Sequence, residues 1–214
     1  MRSRTLKNQR PSDKHYKTGK ETHIDTQTLG VISQVAEQSI VLIDSQNVLC
    51  AWMTYSKQKG TAEKLDYKRL VDQLAIGTDL LRAYFYDGVE ENITTKKKNF
   101  LEALSYKGIQ LRTKMLKDRT SKCPHCGKEQ VRQVQKGVDV SLATDILRHA
   151  WQQTCKICIV VSGDEDYKDA IDVAKDKGVK VWVASFKSCL SNDLRKSADR
   201  IIFLDDIYDK VKQQ

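Results

Sequence analysis

The sequence predicts an α/β protein in which helices cover both faces of a mostly parallel central sheet. Short apolar runs alternate with segments of helical periodicity along the chain beyond residue 38. Runs such as 40–44 and 157–161 are apolar at nearly every position, which is typical of strands buried on both faces. Right-handed helical crossovers between such strands produce a three-layer α/β/α sandwich.

The first half of this pattern starts with a buried strand. The apolar run 40–44 predicts it, and the acid at its end predicts a polar loop after it. Leucines at helical spacing predict a helix over 64–76, which Gly77 ends. A strand is expected at 80–86 and a further helix at 96–106.

The second half repeats the alternation after a break. Alternating apolar residues predict a strand at 109–115, which a cysteine-containing loop follows. An apolar stripe at helical spacing predicts a strongly amphipathic helix over 138–152. The remaining predicted elements are a strand at 157–161, a helix at 167–176, a strand at 179–183, a helix at 192–198, a strand at 200–204 and a terminal helical segment at 206–212.

The chain divides into a basic arm and one folded domain. Residues 1–36 lack a sustained apolar period and are expected to form a flexible arm, whereas residues 37–214 are expected to form a single domain. The formal net charge is +9, and it is unevenly placed. Segment 1–23 has seven basic and two acidic residues, segment 106–136 has nine basic and two acidic, and the rest is slightly acidic. Clustered cations around an acidic body suggest a polyanionic partner such as nucleic acid, although solvated surface segments would read the same way.

The composition argues against membrane and secreted classes. The longest apolar stretches are far shorter than the roughly 20 residues of a spanning helix, so no membrane partner is expected. The basic N-terminus has no apolar block behind it, so it does not read as a secretory signal. We therefore expect a cytoplasmic protein whose 6 cysteines stay reduced.

Acidic side chains are predicted to gather at one edge of the sheet. Asp44 and Asn47 follow the first strand, Asp164 and Asp166 follow the strand at 157–161, and Asp139 opens the helix after Gly137. In open parallel sheets the functional residues lie just past the carboxyl ends of the strands. Any one of these acids could instead be a helix cap or a turn former, so it is their joint placement that points to a site.

A cluster of carboxylates calls for a cation. Closely spaced carboxylates repel one another, and at least one would hold a proton unless a cation neutralised them. Carboxylate and water oxygens suit Mg²⁺ or Mn²⁺, which can activate water and stabilise charge on a phosphoryl oxygen. Ser162, in the loop before Asp164, and the neighbours Asn47 and Lys136 are expected to support the acids or touch a phosphate. Together with the basic segments, this pattern predicts a metal-dependent hydrolase of phosphodiesters.

Other standard sites have little support in the sequence. Neither G-x-x-x-x-G-K-[ST] nor G-x-G-x-x-G occurs, and no G-x-S-x-G elbow is present. A phosphatase of the haloacid-dehalogenase kind would need a second Asp two residues after Asp44, where Gln46 stands. Cys123 and Cys126 have the spacing of half a zinc site. Their candidate partners Cys155 and Cys158 lie too far along the chain, and Cys158 falls in a buried strand.

The same residues resemble the NYN domain of the PIN-like nuclease superfamily, which includes LabA-like bacterial proteins. The resemblance spans roughly 38–208 and rests on four motifs. They are Ile43-Asp44-Ser45-Gln46-Asn47, Lys136-Gly137-Val138-Asp139-Val140 with Asp145, Val161-Ser162-Gly163-Asp164-Glu165-Asp166-Tyr167, and Ser197-Ala198-Asp199. Ser45 stands where the family usually has Gly, and Tyr167 where it usually has Phe.

The resemblance implies a PIN-like fold and a ribonuclease whose Asp residues bind Mg²⁺ or Mn²⁺. Carried over by position, Asp44, Asp139, Asp164 and Asp166 would be the catalytic and metal-binding acids, with Asn47 beside the first. Asp145 also matches a recurrent acid of the family. It lies six residues after Asp139, about 240° around the helix, so both cannot face the pocket equally.

The leading hypothesis is thus a metal-dependent endoribonuclease, and the alternative is a non-catalytic RNA-binding or regulatory module of the same fold. The expected partner is RNA, single-stranded rather than duplex, and the sequence leaves open whether the chain forms a homodimer. The basic segment 106–136 is expected to guide the RNA backbone. Its candidate contacts are Lys114, Lys117, Arg119 and Lys122.

Overall fold

Eight strands and seven helices make up the described part of the chain, which comprises residues 35–122, 129–134 and 137–213 of a computed structural model. The strands are β1 (Gln38–Asp44), β2 (Asp79–Val89), β3 (Ile109–Met115), β4 (Lys117–Lys122), β5 (Glu129–Val134), β6 (Ile157–Val161), β7 (Lys180–Ser185) and β8 (Arg200–Phe203). The helices are α1 (Ser45–Gln58), α2 (Tyr67–Leu74), α3 (Thr95–Tyr106), α4 (Val138–Trp151), α5 (Lys168–Asp176), α6 (Asn192–Ser197) and α7 (Leu204–Val211), with a short 3₁₀ helix at Glu165–Tyr167. None of the described helices is long and apolar enough to cross a membrane.

Six of the strands form one parallel sheet in the order β3-β2-β1-β6-β7-β8. Helices cover both of its faces. Along β1, Val41 and Ile43 pack in the core beneath α1, α2 and α7, while Ile40 and Leu42 pack in the core beneath α4, α5 and α6. This alternation follows from the two-residue period of a strand. The predicted three-layer α/β/α sandwich is confirmed.

The segment after β1 is a helix, so the polar loop predicted there was wrong. Asp44 is both the last residue of β1 and the N-cap of α1, and its carboxylate accepts the Asn47 N–H at 3.2 Å. Val48, Ala51 and Trp52 then bury one face of α1 in the core. An N-capping Asp satisfies the free amides of the first turn, so the chain passes from strand to helix without a connector.

Other elements also differ from those predicted, for identifiable reasons. α2 begins at Tyr67 because Asp66 caps it, accepting the N–H groups of Lys68 and Arg69. β2 continues to Val89 because β3 pairs with it along that length. The cysteine-containing segment was predicted as a loop, but β4 and β5 pair there as an antiparallel hairpin, from Lys117 with Val134 to Lys122 with Glu129.

The sheet has a topological switch point between β1 and β6. From β1 the chain proceeds to β2 and β3 on one side, and from β6 it proceeds to β7 and β8 on the other. The connections leaving these two strands therefore diverge to opposite sides, which opens a crevice beyond their carboxyl ends. Asp44 ends β1, and Ser162, Gly163 and Asp164 follow β6, so these residues lie at this crevice.

Candidate metal centre

Asp44 is the most deeply placed acid of the crevice, with only 4% of its surface exposed. Its Oδ2 accepts hydrogen bonds from Ser162 Oγ at 3.1 Å and from the Tyr167 hydroxyl at 3.1 Å, and its Oδ1 accepts the Asn47 N–H. Burial raises the pKa of Asp44, the three hydrogen bonds lower it, and the negative charge of Asp139 raises it again. The net shift of the pKa is upward, so ionising Asp44 costs free energy in the folded protein, and a bound cation would reduce that cost.

Asp139 belongs to α4, which packs on the face of the sheet opposite to the face that α1 covers. Gly137 takes a left-handed conformation with φ of 87° immediately before α4, which glycine adopts without steric cost, and Asp139 lies in the first turn of that helix. Its Oδ1 is 3.3 Å from the Tyr167 hydroxyl. Partial desolvation raises the pKa of Asp139, and the charges of Asp164 and Asp166 raise it further.

The loop after β6 supplies the third carboxylate. Asp164 caps the short 3₁₀ helix by accepting the Asp166 N–H at 3.2 Å, and its own N–H donates to Ser162 Oγ at 3.3 Å. The Ser162 hydroxyl therefore connects the Asp164 backbone with the Asp44 carboxylate. Asn47 Oδ1 accepts the Gly163 N–H at 3.1 Å, which ties α1 to the same loop.

Gly163 allows this loop to pack closely on the segment after β7. A Cβ atom at Gly163 would lie 2.2 Å from the Cys189 carbonyl oxygen and 2.7 Å from Ser185 Oγ. The Gly163 carbonyl also accepts the Ser191 N–H at 3.0 Å. Only glycine permits this approach, which makes Cys189 part of the pocket wall.

These elements line an acidic pocket of about 410 Å³ that is open to solvent. Its lining residues are Asp44, Gln46, Asn47, Cys50, Ala51, Thr54, Asp139, Asp164 and Cys189. Three of the four predicted acids thus meet in one pocket. Among the residues that the structure describes, no three His, Cys, Asp or Glu side chains are close enough together to enclose a metal ion. The oxygen donors still fit Mg²⁺ or Mn²⁺, since Mg²⁺ keeps several waters and commonly binds through one or two carboxylates.

Tyr167 is the site residue that the sequence did not single out. It is buried, and its hydroxyl lies within hydrogen-bond distance of both Asp44 and Asp139. Burial and these two carboxylates raise the pKa of the Tyr167 phenol, so it stays a donor. The sequence did carry a signal, because a phenol in place of the family's usual Phe needs a polar partner when buried.

Two of the acids considered in the sequence do not line the pocket. Asp166 is exposed, and its side chain acts on the site through its charge, which raises the pKa of Asp139. Asp145 is 2% exposed on the buried side of α4. Its Oδ2 accepts from the Tyr86 hydroxyl at 2.7 Å and from Arg112 Nε at 3.3 Å, and its Oδ1 pairs with Arg148 at 2.7 Å.

The remaining predicted residues lie away from the acids or outside the described part. Lys114 is exposed on β3. Cys155 and Cys158 are buried free cysteines in the core. Lys136, Cys123 and Cys126 lie outside the described residues, as do the side chains of Lys117, Arg119 and Lys122.

Comparison with known proteins gives a consistent picture. The NYN domain family model matches residues 38–205. The Low amplitude and bright protein LabA of Synechococcus elongatus is 29% identical over 170 residues, which cover 78% of this chain and 83% of that protein. A solved structure of a protein of unknown function from Vibrio parahaemolyticus superposes with a TM-score of 0.60 at 20% identity. It covers 85% of this chain and 99% of that chain, and it supports the fold alone.

Proposed function

The chain belongs to the NYN domain family, and on that premise we propose that it is a metal-dependent endoribonuclease that hydrolyses RNA phosphodiester bonds. The observation that carries this proposal is the convergence of Asp44, Asp139 and Asp164 on one pocket at the switch point of the sheet. The pKa values of Asp44 and Asp139 are both raised, and negative charge contributes to each shift. A divalent cation would neutralise this charge.

Asp44, Asp139 and Asp164 are the residues that would hold the ion, some of them through its bound waters, because no three described carboxylates are close enough to ligate it together. Bound Mg²⁺ or Mn²⁺ supplies a water of lowered pKa and stabilises charge on a phosphoryl oxygen. Asp166 lies two residues after Asp164 and its negative charge raises the pKa of Asp139, and a direct role for its carboxylate stays a prediction.

Several neutral groups of the chain hold the acids in place. Ser162 and Tyr167 donate to the same oxygen of Asp44, and these two hydrogen bonds fix the orientation of its carboxylate. They also lower the pKa of Asp44 and so offset part of the increase that burial causes. Asn47 fixes the Gly163 backbone and thereby the position of Asp164. Such support is what keeps metal-binding carboxylates in a productive geometry.

RNA is the proposed substrate because of the family and the charge distribution. The acidic pocket lies in a slightly acidic body, whereas the cations concentrate in segments 1–23 and 106–136. Lys114 is exposed at the start of the second segment and is available to a phosphate backbone. Phosphate contacts by such residues would position RNA without reading its sequence.

The decisive experiment is cleavage of labelled single-stranded RNA in Mn²⁺ or Mg²⁺ and in EDTA. We expect cleavage in the metal buffers only, and near-complete loss with Asp44→Asn and Asp139→Asn. Asp72→Asn is the matched control, since Asp72 is an exposed acid on α2 away from the pocket. Cleavage that persists in EDTA, or that survives Asp44→Asn, would contradict the proposal. RNA binding without cleavage would instead favour a non-catalytic RNA-binding module.

A further inference from the structure

A second cavity of about 1130 Å³ lies next to the acidic pocket, between α1 and α3. We call it the α1–α3 groove. Residues that line it include Leu49, Met53, Lys57, Lys96, Phe100 and Leu116. Gln46 and Cys50 line both cavities, so one face of α1 is a wall common to the acidic pocket and the groove. The space exceeds that of a typical site for one drug-sized ligand, roughly 300–1,000 Å³.

The surface of α1 that faces the groove combines apolar and cationic groups. Leu49, Met53 and Lys57 are spaced four residues apart, so they form one stripe along the helix over about 12 Å. Leu49 is 45% exposed and Met53 is 62% exposed, and exposed apolar side chains that adjoin one another, unlike scattered single ones, point to an interaction surface. Both side chains face the open space of the groove, and no element of the described chain covers them there.

The charges of the groove favour an anion. Asp87, which is 7% exposed, accepts from Ser45 Oγ at 2.8 Å and is neutralised by Lys97. The other acid of the lining, Glu63, pairs with Lys212 at 3.7 Å.

Lysines without such a partner remain in the groove. Lys57, Lys64 and Lys96 line it and form no ion pair with any side chain in the described ranges. The groove therefore offers three uncompensated cations beside apolar surface.

We propose that the α1–α3 groove binds the part of a single-stranded RNA next to the bond held at the acidic pocket. The lysines contact phosphates, and Leu49 and Met53 contact unstacked bases. A single strand exposes its base faces, whereas a duplex hides them in the stack. The proposal rests on the nuclease function proposed above, because the RNA must pass from the groove over Gln46 and Cys50 into the acidic pocket.

The test is equilibrium binding in EDTA, where binding is measured without cleavage. A labelled single-stranded RNA of about ten nucleotides, within the usual site sizes of single-strand binders, is titrated with the full chain by fluorescence anisotropy. Lys57→Ala/Lys96→Ala should flatten the slope of log affinity against log salt by about 1.4, or about 0.7 for each lost phosphate contact. Leu49→Ser/Met53→Ser should weaken binding by roughly tenfold at every salt concentration and leave the slope unchanged.

Matched controls lie on other surfaces of the domain. Lys156→Ala removes an exposed lysine before β6, and Val173→Ser removes an apolar side chain of α5 that is 45% exposed. Both controls should bind RNA as the wild type does. All four substituted positions of the test variants are exposed, so thermal unfolding should confirm that the variants are folded.

The two proposals fail in different ways. Unchanged affinity in both double variants would overturn the groove proposal, even if the wild type cleaves RNA. Duplex RNA bound as tightly as the single strand, with the same loss in the variants, would overturn it too. Wild-type binding that depends on the groove, with no cleavage in any metal, would support the groove proposal and contradict the nuclease.

Discussion

The Tyr167 hydroxyl donates to Asp44 Oδ2 at 3.1 Å, and this contact joins the helical segment after β6 to the end of β1. The same hydroxyl is 3.3 Å from Oδ1 of Asp139, so one phenol lies between two carboxylates from different elements. A neutral donor in this position reduces the repulsion between the acids and lowers the pKa of both. The acidic pocket is therefore organised by a residue that does not itself carry charge.

Tyr167→Phe should shift the acid limb of metal-dependent activity to higher pH. Without the hydroxyl, the pKa values of Asp44 and Asp139 rise further, so each carboxylate needs a higher pH to ionise and bind metal. We also expect a loss of about 1.5 kcal/mol in the free energy of unfolding, as for a hydrogen bond to a charged group. Activity–pH profiles check the first effect, and urea titration checks the second.

Tyr106→Phe is the matched control for that change, since Tyr106 is 90% exposed on α3. It should alter neither the pH profile nor the stability. An unchanged acid limb in Tyr167→Phe would show that the hydroxyl does not influence the ionisation of the acids.

Divalent metal should stabilise the fold through Asp44. At a concentration about 100-fold above its Kd, an ion that binds only the folded state adds about 2.7 kcal/mol to the free energy of unfolding. Asp44→Asn should lose this gain, whereas Asp72→Asn should keep it. In metal-free buffer at neutral pH, Asp44→Asn should be no less stable than the wild type, because the raised pKa of Asp44 means that its ionised form costs folding energy there. Thermal unfolding with and without Mn²⁺ measures both effects.

Gly163→Ala should disrupt the wall of the pocket. The new Cβ would meet the Cys189 carbonyl at 2.2 Å, and backbone must move to accommodate it. We expect a loss of about 1–3 kcal/mol in stability, as for other overpacked sites, together with weaker metal binding. Gly178→Ala is the comparison, because Gly178 has a positive φ of 82° but open space around it. Gly178→Ala should lower the free energy of unfolding and leave metal affinity unchanged. Unchanged metal affinity in a folded Gly163→Ala protein would show that this part of the pocket wall does not influence metal binding.

Asp145→Asn should act on stability and not on metal binding. Asp145 is buried and pairs with Arg112 and Arg148, so neutralising it leaves both arginines without their partner. Both arginines are partly exposed, and we therefore expect about 2–3 kcal/mol, below the cost of breaking a fully buried pair. Urea titration and calorimetric Mn²⁺ binding separate the two effects. A loss of metal affinity in a folded Asp145→Asn protein would assign this acid to the metal centre.

His149 should make the fold sensitive to mild acid. Burial lowers its pKa below 6.5, and the positive charges of Arg148, Arg112 and Arg82 act in the same direction, whereas Asp145 opposes them. Between the lowered pKa and about 6.5, the unfolded chain binds more protons than the folded chain does. The free energy of unfolding therefore decreases as the pH falls below about 6.5. The free energies of unfolding of the wild type and His149→Gln can be compared by urea titration from about pH 5 to 8. The difference between the two proteins should become smaller as the pH falls, because only the wild type loses the stability that depends on neutral His149. A difference that is independent of pH would contradict this prediction.

The boundaries of the elements show where reasoning from the sequence ends. The apolar runs at β1 and β6 identified both central strands, because burial on two faces leaves a nearly unbroken apolar pattern. The helix after β1 was missed because Asp44 reads as a loop former unless its capping hydrogen bond is known. The hairpin β4–β5 was missed because strand pairing depends on a partner that local periodicity does not identify.

The sequence by itself determined the fold class, the family and three acids that meet in the pocket, since strand burial and strand-end position are written in local pattern. Only the tertiary structure decided that Asp145 belongs to a buried ion-pair cluster and that Asp166 lies outside the pocket lining. It also placed Tyr167 between Asp44 and Asp139, and it brought Gly163 against Cys189. These relationships join residues that are distant in the chain, and their distances follow from how the layers pack rather than from any local preference of the sequence.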